Sequence, residues 1–131
     1  FRHCSPTLRN ALLVALKPDT YAPGNFLVRE GEAGRSIVFI TRGAVEIVAG
    51  PEQTVHGTLE PGDYFGYLSL ALKERRSGSV RAIDYCEALV LDLDSYEALS
   101  EEYPEFMQVL KTVSAERSEQ ASELLLEGVV L

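Results

Sequence analysis

At 131 residues, 46% of them hydrophobic and 24% charged, the chain has length for one buried core but is short for two. Its 12 Lys+Arg against 20 Asp+Glu leave a formal charge of −8, which argues against a general nucleic-acid surface, because that surface needs a basic stripe to displace counterions. Any anionic ligand must then be held by a local basic cluster. No run nears the roughly 18 apolar residues needed to span a bilayer, and no charged-then-apolar signal pattern opens the chain, so direct membrane insertion is not expected. Cys4 and Cys86 lie far apart and in no metal-ligand spacing; without a disulfide framework, a reducing, intracellular setting fits better.

The chain starts with "FRHCSPTLRNALLVALK", already helical in character, which raises the expectation of a piece cut from a longer protein. Ser5 is a candidate N-cap, Pro6 sits at the first helical position, and Leu8, Leu12, Leu13 and Leu16 recur at helical spacing, predicting an amphipathic helix over 5–17. From Thr20 the texture changes to short apolar runs cut by glycines 24, 31, 34, 43, 50, 57 and 62. "FLVRE", "SIVFITRG" and "AVEIVAG" are rich in β-branched and aromatic residues and have strand lengths, which suits a small antiparallel barrel or jelly roll. The strand block resumes in "SGSVRAIDYCEALVLDLD" and the helical period returns from Asp94. Asp94 or Ser95 is the expected N-cap there, Pro104 divides one helix from the next, and Gly128 ends the last. The expectation is a single α+β domain over 1–131: an antiparallel β-roll or jelly-roll barrel of about eight strands over 20–93, interrupted by a short helix, with an N-terminal helix before it and two or more helices over 94–131.

Residues 64–80, "YFGYLSLALKERRSGSV", form the one locally basic stretch with the features of an anion cradle. Gly66 ahead of "YLSLAL" places backbone N–H groups at the start of a short helix. Arg75 and Arg76 arrive about a turn beyond, an arginine fork satisfies two phosphate oxygens at once, and Ser69 and Ser77 add hydroxyl donors. Gly78 leaves room for a ligand close to the backbone. Spacing alone also allows the plainer reading, two exposed arginines pairing with neighbouring carboxylates. His3 and His56 have no Cys, Asp or Glu at ligand spacing, so no metal site is expected. No Ser–His–Asp order with a nucleophile elbow occurs, and "SEEYPE" reads as a solvated helix end with Tyr103 packing inward, so an enzyme is not expected.

The order "PGD-Y-FG", short apolar helix, "RRSGSVRA" resembles the phosphate-binding cassette of the cyclic nucleotide-binding domain family, here spanning 62–80. The resemblance covers nearly the whole chain. Upstream "YAPGNFLVREGEAGRSIVFITRGAVEIV" is similar to the family's early strands, and "VRAIDYCEALVLDLDSYEALSEEYPEF" to its last strands and following helix. The double arginine before a hydroxyl residue, with "YPEF" ahead of "TVSAER", looks most like the cyclic nucleotide-gated and hyperpolarization-activated channel branch. The resemblance implies a ligand, cAMP or cGMP, and no cofactor. It also implies a cytoplasmic regulatory domain whose partner is the effector of its parent protein, a membrane channel, with room for a homo-oligomeric parent. The alternatives are a ligand-free homology domain acting as a gating platform, or a nucleotide-binding module of a kinase regulatory subunit or exchange factor.

By the same resemblance Arg76 pairs with the cyclic phosphate and Ser77 contacts phosphate and, in guanine-preferring members, the purine. Gly66, Leu68 and Ser69 lie along phosphate and ribose. Val80, with Val45 and Leu59, lies near the purine. Arg117 and Ala121 belong to a C-terminal lid helix (helix C, after helix B) that closes over the base, with Leu124 or Leu125 beyond. One position departs from the pattern: Tyr67 stands where the family has an acidic residue that accepts a hydrogen bond from the ribose 2′-OH. A phenol there engages the sugar, fills part of the pocket or packs against the barrel mouth. Loss of a charge-assisted bond costs about 1.5–3 kcal/mol, roughly ten- to a hundredfold in affinity.

Overall fold

The computed structural model describes residues 4–115, with side chains to residue 110. Ser5 caps α1 (Pro6–Ala15), its side chain accepting from the Leu8 N–H, and proline occupies the first turn. Leu8 and Leu12, with Leu16 just past the helix, recur every four residues and are buried, whereas Leu13 is 65% exposed and points away from that stripe. The helix is shorter than the expected 5–17, because Lys17 already opens β1 (Lys17–Tyr21). There follow β2 (Phe26–Val28), β3 (Ser36–Arg42), β4 (Val45–Ala49), β5 (Thr54–Leu59), β6 (Tyr64–Phe65), α2 (Tyr67–Leu72), β7 (Ser79–Ala82), β8 (Cys86–Asp92), α3 (Leu93–Glu102) and α4 (Phe106–Ala115).

The eight strands make two four-stranded antiparallel sheets, ordered β1-β8-β3-β6 and β2-β7-β4-β5. Strand β3 is buried on both faces, which explains its unbroken apolar run. Val38 and Ile40 join Phe65, Val28, Val45, Ile47, Leu59 and Val80 between the sheets. Ile37 and Phe39, pointing the other way, join Tyr64 and Leu91 under a helical layer of Leu8 and Leu12, Leu70, Leu99 and Phe106. One sheet is thus shared by the roll and by all the helices.

The roll begins three residues earlier than expected, at Lys17, and ends at Asp92. The N-cap of α3 is Asp92, not Asp94 or Ser95: its Oδ1 accepts from the Ser95 N–H at 2.8 Å, and Lys17 Nζ reaches its Oδ2 at 3.2 Å. The last residue of β8 therefore stops the strand and starts the helix. Pro104 lies between α3 and α4, and Tyr103 packs against the helical core. Gly128 lies outside the described residues.

Candidate functional site

Gly66 joins β6 to α2 with φ of 102°, a left-handed conformation that glycine adopts without steric cost. A Cβ there would lie 2.3 Å from the Ser36 carbonyl oxygen and 3.1 Å from Arg76 Nη1. Gly34 permits a second close approach, since a Cβ would fall 2.3 Å from Ser69 Oγ. These two glycines let the β2–β3 loop, the start of β3 and the head of α2 converge on one point, and the guanidinium of Arg76 occupies it.

Arg76 is 3% exposed. Its Nη1 donates to Ser69 Oγ at 3.2 Å, and its Nη2 donates to the Ser36 carbonyl at 3.2 Å and to Ser36 Oγ at 3.3 Å. The backbone is pinned as well, Arg76 N–H donating to Glu32 O and Gly31 N–H to Arg76 O, both at 2.9 Å. None of the ion pairs among the described residues includes Arg76. Burial pulls its pKa below the usual arginine value, and the charge of Glu32 opposes that shift. The arrangement is a buried cation whose side-chain hydrogen bonds go to neutral oxygens, with the Glu32 charge acting on it outside any of those bonds. The neighbouring Arg75 behaves differently: it is exposed and donates to the Gly31 carbonyl at 2.7 Å. The spacing of "RR" did not distinguish the two, and the fold assigns them opposite environments.

Ser69 is fully buried and donates to the Gly66 carbonyl at 3.2 Å, so it links the turn to Arg76. Leu68 is half-buried, and Ser77 is exposed at the rim. Val80, Val45 and Leu59 are buried among the side chains between the two sheets. Arg117 and Ala121, like Leu124 and Leu125, lie outside the described residues.

Tyr67 is directed elsewhere. Its ring stacks on Tyr96 of α3, centroids 6.2 Å apart, and its hydroxyl donates to Met107 Sδ of α4 at 3.7 Å. It packs on two helices rather than on the barrel mouth. Burial, then the neighbouring Tyr96, pushes its pKa up. Sequence reasoning missed Ser36 at the head of β3 and Glu32 in the loop before it, which contact Arg76, and Gly34, which admits Ser69 beside it; only "GEAGRS" hinted at a tight loop there, with nothing to tie it to the arginine.

A separate groove of about 590 Å³ is lined by Gly34, Arg35, Leu70, Lys73, Arg75 and Tyr96 among others. None of Gly66, Leu68, Ser69, Arg76 or Ser77 lines it. Among the described residues no group of His, Cys, Asp and Glu could hold a metal ion, and no helix is long and apolar enough to cross a membrane.

Residues 18–103 match the family model described as cyclic nucleotide-binding domain. Over 118 residues the chain is 36% identical to the potassium/sodium hyperpolarization-activated cyclic nucleotide-gated channel 3 of Homo sapiens, covering 89% of this chain and 15% of that channel. Among solved structures, the C-linker/CNBHD of zELK channels, crystallized in the presence of cAMP, is 27% identical with a TM-score of 0.76, covering 91% of this chain and 61% of that one. The catabolite activator protein of Thermus thermophilus is 25% identical with a TM-score of 0.75, covering 97% and 61%.

Proposed function

Because the chain belongs to the cyclic nucleotide-binding domain family, we propose that it is a cytoplasmic regulatory module that binds cAMP or cGMP and passes the binding energy to an attached effector, an ion channel or related membrane protein. The observation that carries this reading is Arg76, a nearly fully buried guanidinium whose hydrogen bonds all go to neutral oxygens in a chain of net charge −8. A buried charge is costly unless paired, and an anion with two adjacent oxygens is the partner that a guanidinium fork matches. A cyclic phosphodiester has that geometry. On binding, its oxygens replace Ser36 and Ser69 as acceptors, with the backbone at Gly66 and the hydroxyl of Ser77 beside them. The family resemblance assigns the base to the neighbourhood of Val80 and to the lid residues Arg117 and Ala121.

Signal transfer follows from what α2 touches. The same short helix carries Ser69, which contacts Arg76, and Tyr67, which contacts α3 and α4. A ligand that repositions α2 therefore acts on α4, and one that binds better to one helix arrangement shifts the population toward it. The coupling is no larger than that difference in affinity. The channel assignment rests on the hyperpolarization-activated channel, of whose length this chain spans 15%, and on the zELK domain, of which it covers 61%.

A second reading, a ligand-free interaction platform, is favoured by two contacts. Arg76 already has acceptors within the fold, and Tyr67 is committed to Met107. Isothermal titration with cAMP and cGMP, beside Arg76→Ala, separates the two. Binding that the substitution weakens at least tenfold, about 1.4 kcal/mol, supports the sensor; no heat from a folded protein whose melting temperature is unchanged by ligand supports the platform.

A further inference from the structure

Three helices meet at one sulfur, outside the Arg76 cradle. Tyr67 of α2 and Tyr96 of α3 each direct a hydroxyl at Sδ of Met107 in α4, at 3.7 Å in both cases. Both phenols are held in place: the rings stack with 15° between their planes, and Tyr96 meets Phe106 edge-on at 6.1 Å. Met107 is the chain's one methionine, and it is half-buried. A thioether is a weak acceptor, so both phenols donate to it through weak bonds that a stronger acceptor at the same point would strengthen. A sulfoxide oxygen is a strong acceptor and would use both.

We propose that Met107 is a modification site for hydrogen peroxide, with Tyr67 and Tyr96 as the groups that favour its oxidation and hold the product. The sulfur lone pair attacks one peroxide oxygen and the S–O bond forms as the O–O bond breaks. Sulfur is oxidised by two electrons, and the second peroxide oxygen leaves as water after taking the proton of the first. One phenol hydroxyl shifts its hydrogen bond from the sulfur to the departing oxygen, which frees the lone pair that attacks and stabilises the leaving group. In the product, the sulfoxide oxygen accepts from both phenols. Methionine oxidation in a packed setting ordinarily disrupts; here the waiting donors turn it into a stronger joint between α2, α3 and α4. Because α2 also carries Ser69, which contacts Arg76, the modification restrains the same helix that borders the cradle. The inference does not depend on which ligand, if any, that cradle takes.

The test exposes the full chain to limiting hydrogen peroxide, follows the gain of one oxygen by intact mass, and maps it to Met107 by fragmentation. Wild type is compared with the double variant Tyr67→Phe, Tyr96→Phe and with a free peptide covering 103–111. Oxidation of folded wild type at least about fivefold faster than of the double variant, the worth of about one neutral hydrogen bond, is expected. So is a melting temperature that rises on oxidation by about 2 °C or more in wild type and falls in the double variant. A wild-type melting temperature that is unchanged or lowered, or a rate no faster than in the peptide, overturns the proposal, and both readouts need only wild type should the double variant fail to fold.

Discussion

Gly66→Ala tests how tightly the Arg76 cradle is built. The substitution has two separable costs. At φ of 102° any L-residue is strained, which costs about 1–2 kcal/mol. The new methyl also lies 2.3 Å from the Ser36 carbonyl oxygen and 3.3 Å from Ile37 Cα, both backbone atoms of the central strand, which cannot rotate away as a side chain would. Overpacking of that kind adds about 1–3 kcal/mol. Gly24 supplies the control, with a similar φ of 85° and nothing within 4 Å of a built Cβ. Gly24→Ala should therefore cost only the conformational strain, about 1–2 kcal/mol, and Gly66→Ala about 2–5 kcal/mol. Urea unfolding followed by circular dichroism reads both. Because the methyl also comes within 3.1 Å of Arg76 Nη1, Gly66→Ala should weaken ligand binding while Gly24→Ala leaves it unchanged. Equal losses of stability in the two variants would refute the claim that the β6–α2 turn is pressed against β3.

Asp92→Ala should cost about 1 kcal/mol, mostly through the lost cap, because the exposed pair with Lys17 contributes little. The Ser95 backbone N–H, then the Ser95 side chain and Lys17, hold the Asp92 carboxyl below the usual carboxylate range. Its contribution is thus full above the unfolded value of about 3.9 and is lost as pH falls through the lowered native value; melts of the two proteins should converge in acid. Burial first, and Asp19 second, push Tyr21 up to about 12. Its contribution is full below about 10 and lost as pH rises through that raised value, so Tyr21→Phe should remove part of the alkaline destabilisation seen in thermal melts. Tyr67→Glu should lose the ring stack on Tyr96, about 0.5–1.5 kcal/mol beyond lost burial, whereas Tyr67→Phe keeps it and should melt within a few degrees of wild type.

The architecture was legible where local pattern and burial agree. Strand β3 reads as an apolar run because both its faces are covered, and the stripe Leu8, Leu12, Leu16 reads as a helix because one face is. Leu13 fitted the same count and proved exposed, since a stripe defined by every fourth residue leaves its neighbour facing outward. The start of α3 differs from the expectation because "DLDS" offers three cap residues within four positions, and the choice of Asp92 is made by where β8 ends, a property of the sheet. Arg76 was singled out in the sequence as the residue expected to meet an anion, yet its separation from Arg75 depends on the β2–β3 loop folding over it. Ser36 and Gly34 reach the cradle from far along the chain, and no spacing rule links them to it. Tyr67 stood out as a departure; its partners Tyr96 and Met107 come from helices whose approach to α2 is set by tertiary packing.

The central claim, that Arg76 is the group that receives the anion, is tested most directly by following its side-chain Nε–Hε resonance in ¹H–¹⁵N spectra, assigned with Arg76→Lys, during titration with cAMP and cGMP beside the uncharged nucleosides adenosine and guanosine. A saturable shift of this resonance with a cyclic nucleotide, and none with the matching nucleoside, is expected. A resonance that stays in place while a cyclic nucleotide binds, or one that moves equally with the nucleoside, would contradict it.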